Sequence, residues 1–172
     1  MKALYLLSCL LLCSIACNTS RPETATEVAT KPTTILLVRH AEKDYGDDPD
    51  LIPAGQERAA LLAEMLSKTE LAAVYSTDTK RTRQTASPSA EKHGLKVNIY
   101  DAADLKVIAD RLSRKHRGQT VLVVGHSNTT PALANYLTKS EAHPRFSELD
   151  YGNLLVVTLP ESGRSQVLQL RY

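Results

Sequence analysis

Two histidines stand where strongly apolar runs stop. One run ends Val38-Arg39-His40-Ala41-Glu42-Lys43, and another ends Val124-Gly125-His126-Ser127-Asn128. A third stretch, residues 76–86, carries Lys80, Arg81, Arg83, Gln84 and Thr85 and is dense in cations and hydroxyls. In open α/β sheets ligands sit outside the carboxyl ends of the strands, so the three stretches can meet in one crevice. The set holds two imidazoles and several guanidiniums, with no cysteine and no His–carboxylate pair at metal-ligand spacing. Such a set suits a phosphate group. The planar fork of arginine can pair two phosphate oxygens at once. A helix beginning at Thr130-Pro131, just after His126, would add backbone N–H donors and a favourable dipole. Ser127 and Asn128 are candidates for the phosphate pocket and fit turn positions equally well.

These groups need rigid elements behind them. Residues 33–38 form a continuous apolar run with β-branched members, as in a strand buried on both faces. Residues 71–75, 97–100, 120–124 and 154–159 read the same way, and 166–170 alternates like an edge strand. Helical spacing appears between them. Residues 53–67 carry Ala59, Leu62, Met65 and Leu66, and residues 104–116 carry Leu105, Ile108, Ala109 and Leu112 ahead of Gly118. Ser87-Pro88 reads as a cap followed by proline at the first helical position, with Gly94 past the last turn. Residues 131–137 begin similarly after Thr130. The alternation implies an α/β three-layer sandwich, a mostly parallel central sheet with helices on both faces. Residues 139–152 read as an irregular surface loop. His93, His116 and His143 read as surface residues near helix ends or in a loop.

The three motifs, in this order and at these strand and helix ends, resemble the histidine phosphatase superfamily, the phosphoglycerate-mutase-like fold. The resemblance covers about residues 33–159. Its first motif is Arg-His-Gly in most members and Arg39-His40-Ala41 here. Residues 76–86 resemble the second segment, in which an arginine precedes a small residue and Gln-Thr; the register selects Arg81 rather than Arg83. Gly125-His126-Ser127 resembles the third. The short chain is similar to the compact phosphohistidine-phosphatase branch. The resemblance implies that His40 is the nucleophile, forming a phosphohistidine that water then hydrolyses. It implies that Arg39 and Arg81 neutralise the phosphate oxygens and that a cationic His126 donates a further hydrogen bond. It implies no metal and no other cofactor, and a small phosphorylated substrate.

Larger relatives place a carboxylate after the second motif to protonate the leaving oxygen. The candidates here are Asp101, Asp104 and Glu42, the first two of which also fit helix capping. The compact branch does without this acid when the leaving group is already good, as in a phosphoramidate or an aryl phosphate. Two other functions use the same residues. One is a mutase, which needs a longer lid than this chain offers; the other is an anion-binding module without turnover.

Composition narrows the partners. The chain has 172 residues, 21 Lys+Arg against 19 Asp+Glu, no Trp and one Phe. A nucleic-acid binder would show a larger basic excess or an aromatic platform. Residues 1–17 have the order of a secretory signal, with Lys2 ahead of an uncharged apolar stretch. All three cysteines, Cys9, Cys13 and Cys17, fall inside it, so the folded domain expected at 33–172 has no disulfide framework. Ser14-Ile15-Ala16-Cys17 resembles a bacterial lipoprotein signal, except that Ser14 stands where Leu is usual. Residues 18–32, rich in Thr, Glu and Pro, read as a flexible tether. The expectation is an exported protein of the cell envelope, attached to the membrane through a lipid at Cys17. Cys17→Ser should abolish incorporation of a radiolabelled fatty acid, and unchanged labelling would refute the anchor.

Overall fold

The computed structural model describes residues 31–172. The signal segment, Cys17 and most of the expected tether lie outside the described residues. The element order is β1 (Thr33–Arg39), α1 (Pro53–Met65), β2 (Leu71–Ser76), α2 (Lys80–Lys92), β3 (Val97–Ile99), α3 (Leu105–Lys115), β4 (Thr120–Gly125), α4 (Thr129–Thr138), β5 (Asn153–Leu159) and β6 (Gln166–Arg171). The strands form one sheet in the order β3-β2-β4-β1-β5-β6. The first four neighbours run parallel, while β5 and β6 are added antiparallel.

The unbroken apolar runs are explained by cover on both faces. Ile35 and Leu37 of β1 point into a core with Ile108 and Leu112 of α3 and Leu133 of α4. Leu36 and Val38 point into the opposite core, with Leu62 of α1 and Ala86 and Ala90 of α2. Ile35, Leu37 and Val38 are fully buried. Each such side chain contributes about 1.5–3 kcal/mol of transfer free energy. The helices thus divide as α1 and α2 on one face and α3 and α4 on the other. The chain leaves β1 toward β2 over one face and leaves β4 toward β5 over the other. β1 and β4 are neighbours, so their carboxyl ends flank the switch point where such sheets bind ligands.

Local structure departs from the sequence expectation in four places. Helix α2 does not begin at Ser87-Pro88 but runs through it, with Pro88 in its interior. The ring removes one helical N–H and costs about 3 kcal/mol. Burial of Thr82, Thr85, Ala86, Ser89 and Ala90 against the sheet outweighs that cost. Ser87 Oγ donates to Arg83 O instead of capping a new helix. His116 is not on the surface: it is 5% exposed, with Tyr75 Oη at 3.0 Å from Nε2 and Gln119 Oε1 at 2.8 Å from Nδ1. His93 is half-buried and reaches the carbonyls of Ser89, Leu66 and Thr69. Helix α4 starts at Thr129, earlier than expected. Its first turn has little left for an anion, since Thr130 N donates to His126 O and Pro131 carries no N–H.

Two glycines mark close approaches around the site. A Cβ on Gly55 would stand 2.1 Å from the backbone oxygen of Glu42, and one on Gly125 would stand 2.8 Å from Thr129 Oγ1. Replacement of either by Ala should destabilise the fold by about 1–3 kcal/mol. Gly55→Ala should cost more, because its obstacle is backbone. Urea unfolding checks this, and a Gly55→Ala midpoint equal to that of the parent chain would contradict the tight approach.

Candidate active site

The parallel pairing of β1 with β4 sets Arg39 opposite Gly125, and His40 N donates to Gly125 O at 2.9 Å. The next residue on each chain is therefore a histidine. The two rings lie edge to face with centroids 5.6 Å apart. Arg81 on the first turn of α2 is close enough that its charge lowers the pKa of both rings, as does that of Arg39. The four residues singled out from sequence, 39, 40, 81 and 126, thus share one locale.

His40 is almost wholly buried. Its Nδ1 lies 2.8 Å from Ala41 O, an acceptor only, so Nδ1 carries the proton and the lone pair is on Nε2. Burial, followed by the nearby charges of Arg39, His126 and Arg81, pushes its pKa down to about 3 against the raising effect of Ala41 O. The ring is neutral at pH 7, as a nucleophile must be. Ala41 stands where glycine was the common residue of the resembling motif. It is fully buried, and its backbone does not enter the positive-φ region, so its methyl is accommodated without strain. Ala41 N donates to Thr85 Oγ1, whose hydroxyl donates to Arg81 O at 2.7 Å. One hydroxyl therefore fixes the nucleophile's backbone against the helix that carries Arg81.

Arg39 is 1% exposed. A buried guanidinium must be paired, and the segment between α4 and β5 supplies the partners. Nη1 donates to the carbonyls of Ser147, Glu148 and Asp150, and Nη2 donates to Glu148 Oε2 at 2.8 Å. The Tyr151 ring lies under the guanidinium, 4.2 Å from its carbon, and also 5.9 Å from the His40 ring. The fork of Arg39 is thus engaged by its own chain rather than presented to an anion. Its Nε is buried without a protein partner, and so is the Nε of Arg81. Each arginine thus keeps an orphaned Nε–H, the kind of donor an oxyanion would satisfy. Arg81 Nη1 lies 3.6 Å from Asp48 Oδ1, whereas Arg83 pairs with Asp78.

His126 differs from the cationic expectation. Burial, then the charges of Arg81 and Arg39, push it down to about 4, with only Glu148 opposing. Its Nε2 lies 2.9 Å from Thr77 Oγ1, which donates onward to Thr82. That leaves Thr77 Oγ1 as acceptor and Nε2–H as donor. The ring can offer a second N–H only as an imidazolium, and a doubly charged anion beside it favours that form.

The three candidate acids separate. Glu42 is held by Arg58, whose Nε and Nη2 donate to its carboxylate at 2.6–2.9 Å. Burial works to raise its pKa, but the Arg58 bonds prevail and hold it below the usual range, so it stays ionised. Asp104 caps α3 by accepting from Val107 N. Asp101 accepts from Ala103 N and lines a cleft with Thr77, Tyr100, Ala102 and His126. Asp101 thus shares a cleft with a site histidine. Ser127 is buried and donates to Glu148 Oε1; Asn128 is exposed. Among the described residues no group of three His, Cys, Asp or Glu side chains is placed to hold a metal ion.

Sequence reasoning gave Glu148 and Tyr151 no role, and Thr77 and Thr85 none beyond membership of the 76–86 stretch. The first two sit in the irregular 139–152 segment, where no periodicity points inward. Thr85 was in plain view beside Gln84, which accepts from Leu51 N and holds the 44–52 loop to α2.

Residues 35–106 match the histidine phosphatase superfamily (branch 1). Phosphoserine phosphatase 1 of Hydrogenobacter thermophilus is 41% identical over 71 residues, covering 37% of this chain and 34% of that protein. The chain thus matches about a third of that relative's length. Among solved structures, the protein histidine phosphatase SixA complexed with tungstate gives a TM-score of 0.65 at 22% identity, over 80% of this chain and 96% of that one. A mycobacterial glucosyl-3-phosphoglycerate phosphatase gives 0.64 at 18%, over 79% and 97%. At these identities the structural likeness is one of fold.

Both desolvated imidazoles have pKa values below the free value of 6.5, so the unfolded chain takes up protons first as pH falls. The stability they contribute is full above about pH 6.5 and declines as pH drops toward 4. Urea midpoints measured from pH 7 to pH 5 should fall, and His126→Asn should flatten that fall. An unchanged slope in His126→Asn would count against the neutral desolvated ring.

Proposed function

We infer that this chain, whose residues 35–106 match the histidine phosphatase superfamily (branch 1), is a phosphatase acting through a covalent phosphohistidine on His40. The observation that carries the reading is the state of His40: neutral, proton fixed on Nδ1, lone pair on Nε2, with two unpartnered arginine N–H groups and a second imidazole around it. Nε2 attacks phosphorus in line, the P–N bond forms as the bond to the leaving group breaks, and the leaving atom departs with the electron pair. Water then attacks the phosphohistidine, releasing inorganic phosphate and returning the electron pair to Nε2. Splitting one displacement into two lowers each barrier. Phosphoryl transfer is governed by positioning and charge, and here Arg39, Arg81 and a His126 protonated by the arriving dianion would neutralise the oxygens without a metal.

The candidate acids favour substrates with good leaving groups. Glu42 is locked as an anion by Arg58, and Asp104 is committed to its helix. Asp101 is the remaining proton donor for the leaving atom, at the open side of the site. Phosphoramidates and aryl phosphates ask least of such a donor, and we take a small phosphorylated compound of that kind as the substrate class. Export with attachment at Cys17 belongs to the same proposal and would place that substrate in the cell envelope.

Hydrolysis of p-nitrophenyl phosphate tests the reading. Activity should persist in EDTA and fall by at least about a thousandfold in His40→Ala, as loss of a nucleophile requires. Quenching in alkaline denaturant during turnover should trap an acid-labile phosphate on the parent chain and none on the variant. Retained activity in His40→Ala would overturn the assignment. Phosphate binding without turnover would instead favour an anion-binding module.

A further inference from the structure

Glu148 lies outside every motif that drew attention in the sequence, yet its carboxylate joins both histidine-bearing strand ends. Oε2 accepts from Arg39 Nη2 at 2.8 Å, and Arg39 precedes His40. Oε1 accepts from Ser127 Oγ at 2.8 Å, and Ser127 follows His126. Arg145 Nη2 donates to Oε1 as well, from outside. The bonds from Arg145 and Ser127 hold the carboxyl near pKa 2, so it is an anion throughout the working range. The side chain is 59% exposed while its partner Arg39 is 1% exposed. With one partner largely in solvent the pair is screened, and three carbonyls and the Tyr151 ring still surround the guanidinium without it. What it fixes is orientation. With Nη1 on three carbonyls and Nη2 on Glu148, Nε is the buried guanidinium nitrogen left without a partner.

We propose that Glu148 is a positioning residue of the phosphate site: its carboxylate sets the roll of the Arg39 guanidinium so that Nε–H faces the anion, and ties Ser127 into the same posture. The proposal rests on the reading of residues 39, 40, 81 and 126 as a phosphate site. Its consequence is that the 139–152 segment is a wall of that site and not a surface connection. Without the carboxylate, Nη2 loses its charged acceptor and competes with Nε for the anion. Donors aimed at the developing charge matter more in the transition state than in the ground state. The loss should therefore appear in kcat more than in KM.

The test uses the full chain with inorganic phosphate as probe and p-nitrophenyl phosphate as substrate. In Glu148→Gln, phosphate affinity should fall about tenfold, and kcat/KM by at least as much, the range typical of residues that orient a primary contact. The urea midpoint should stay near that of the parent chain. Glu148→Asp, which keeps the charge, should recover part of both losses, and Ser127→Ala should show a smaller loss. Unchanged phosphate affinity and kcat/KM in Glu148→Gln would overturn the proposal. So would losses matched by a lowered urea midpoint and not relieved by Asp. A parent chain that neither binds phosphate nor hydrolyses the ester would remove the phosphatase reading itself, and this proposal with it. A parent chain that binds phosphate while Glu148→Gln behaves identically removes this proposal alone.

Discussion

A single buried cation organises the end of the sheet. Arg39 is the last residue of β1, and almost none of it touches water. A charge so placed is costly unless it is surrounded by acceptors. The chain answers with three carbonyls, one carboxylate and an aromatic face, all contributed from between residues 147 and 151. Irregular backbone normally avoids such interior positions because its polar groups go unpaired. Here the pairing runs both ways: the carbonyls satisfy the guanidinium, and the guanidinium satisfies the carbonyls.

The same charge reinforces what burial does to its neighbours. Burial first, and then the two guanidiniums, disfavour a further positive charge on the imidazoles, so both rings are neutral. The site is poised for an anion by what it lacks as much as by what it holds. Its unpartnered N–H groups belong to arginines whose charge already has a partner: Arg39 against Glu148, Arg81 facing Asp48. Selectivity for a tetrahedral anion then comes from direction rather than from bulk positive potential, in keeping with a chain whose formal net charge is only +2.

The strands and the two histidine motifs were legible because they obey strong local rules. A run such as Ile35-Leu36-Leu37-Val38 can be buried on both faces only in a sheet covered on both sides. A polar residue that follows it must lie at the rim. Competing effects hid the rest. Pro88 looked like a helix start, since local propensity alone places it there; burial of Thr85, Ala86 and Ser89 against the sheet decided otherwise. His116 looked like a surface residue at a helix end, but Tyr75 and Gln119 supply the bonds that let it go inside. Glu148 and Tyr151 had no readable signal at all. Their roles follow from which segment happens to cross Arg39, a tertiary fact with no sequence period. The depressed pKa of His126 in the ligand-free site had no sequence signal either, because its desolvation depends on neighbours distant along the chain.

The Thr85 hydroxyl, shared between Ala41 N–H and Arg81 O, has a thermodynamic corollary. It makes the main chain at the nucleophile and the first turn of α2 parts of one mechanical unit. An oxyanion that draws Arg81 inward does work on the imidazole's own backbone, and the imidazole's alignment feeds back on how tightly the guanidinium grips. Capture of the ligand and alignment for attack are then not successive events with separate equilibria. They are two readouts of a single coupling free energy, reciprocal by necessity.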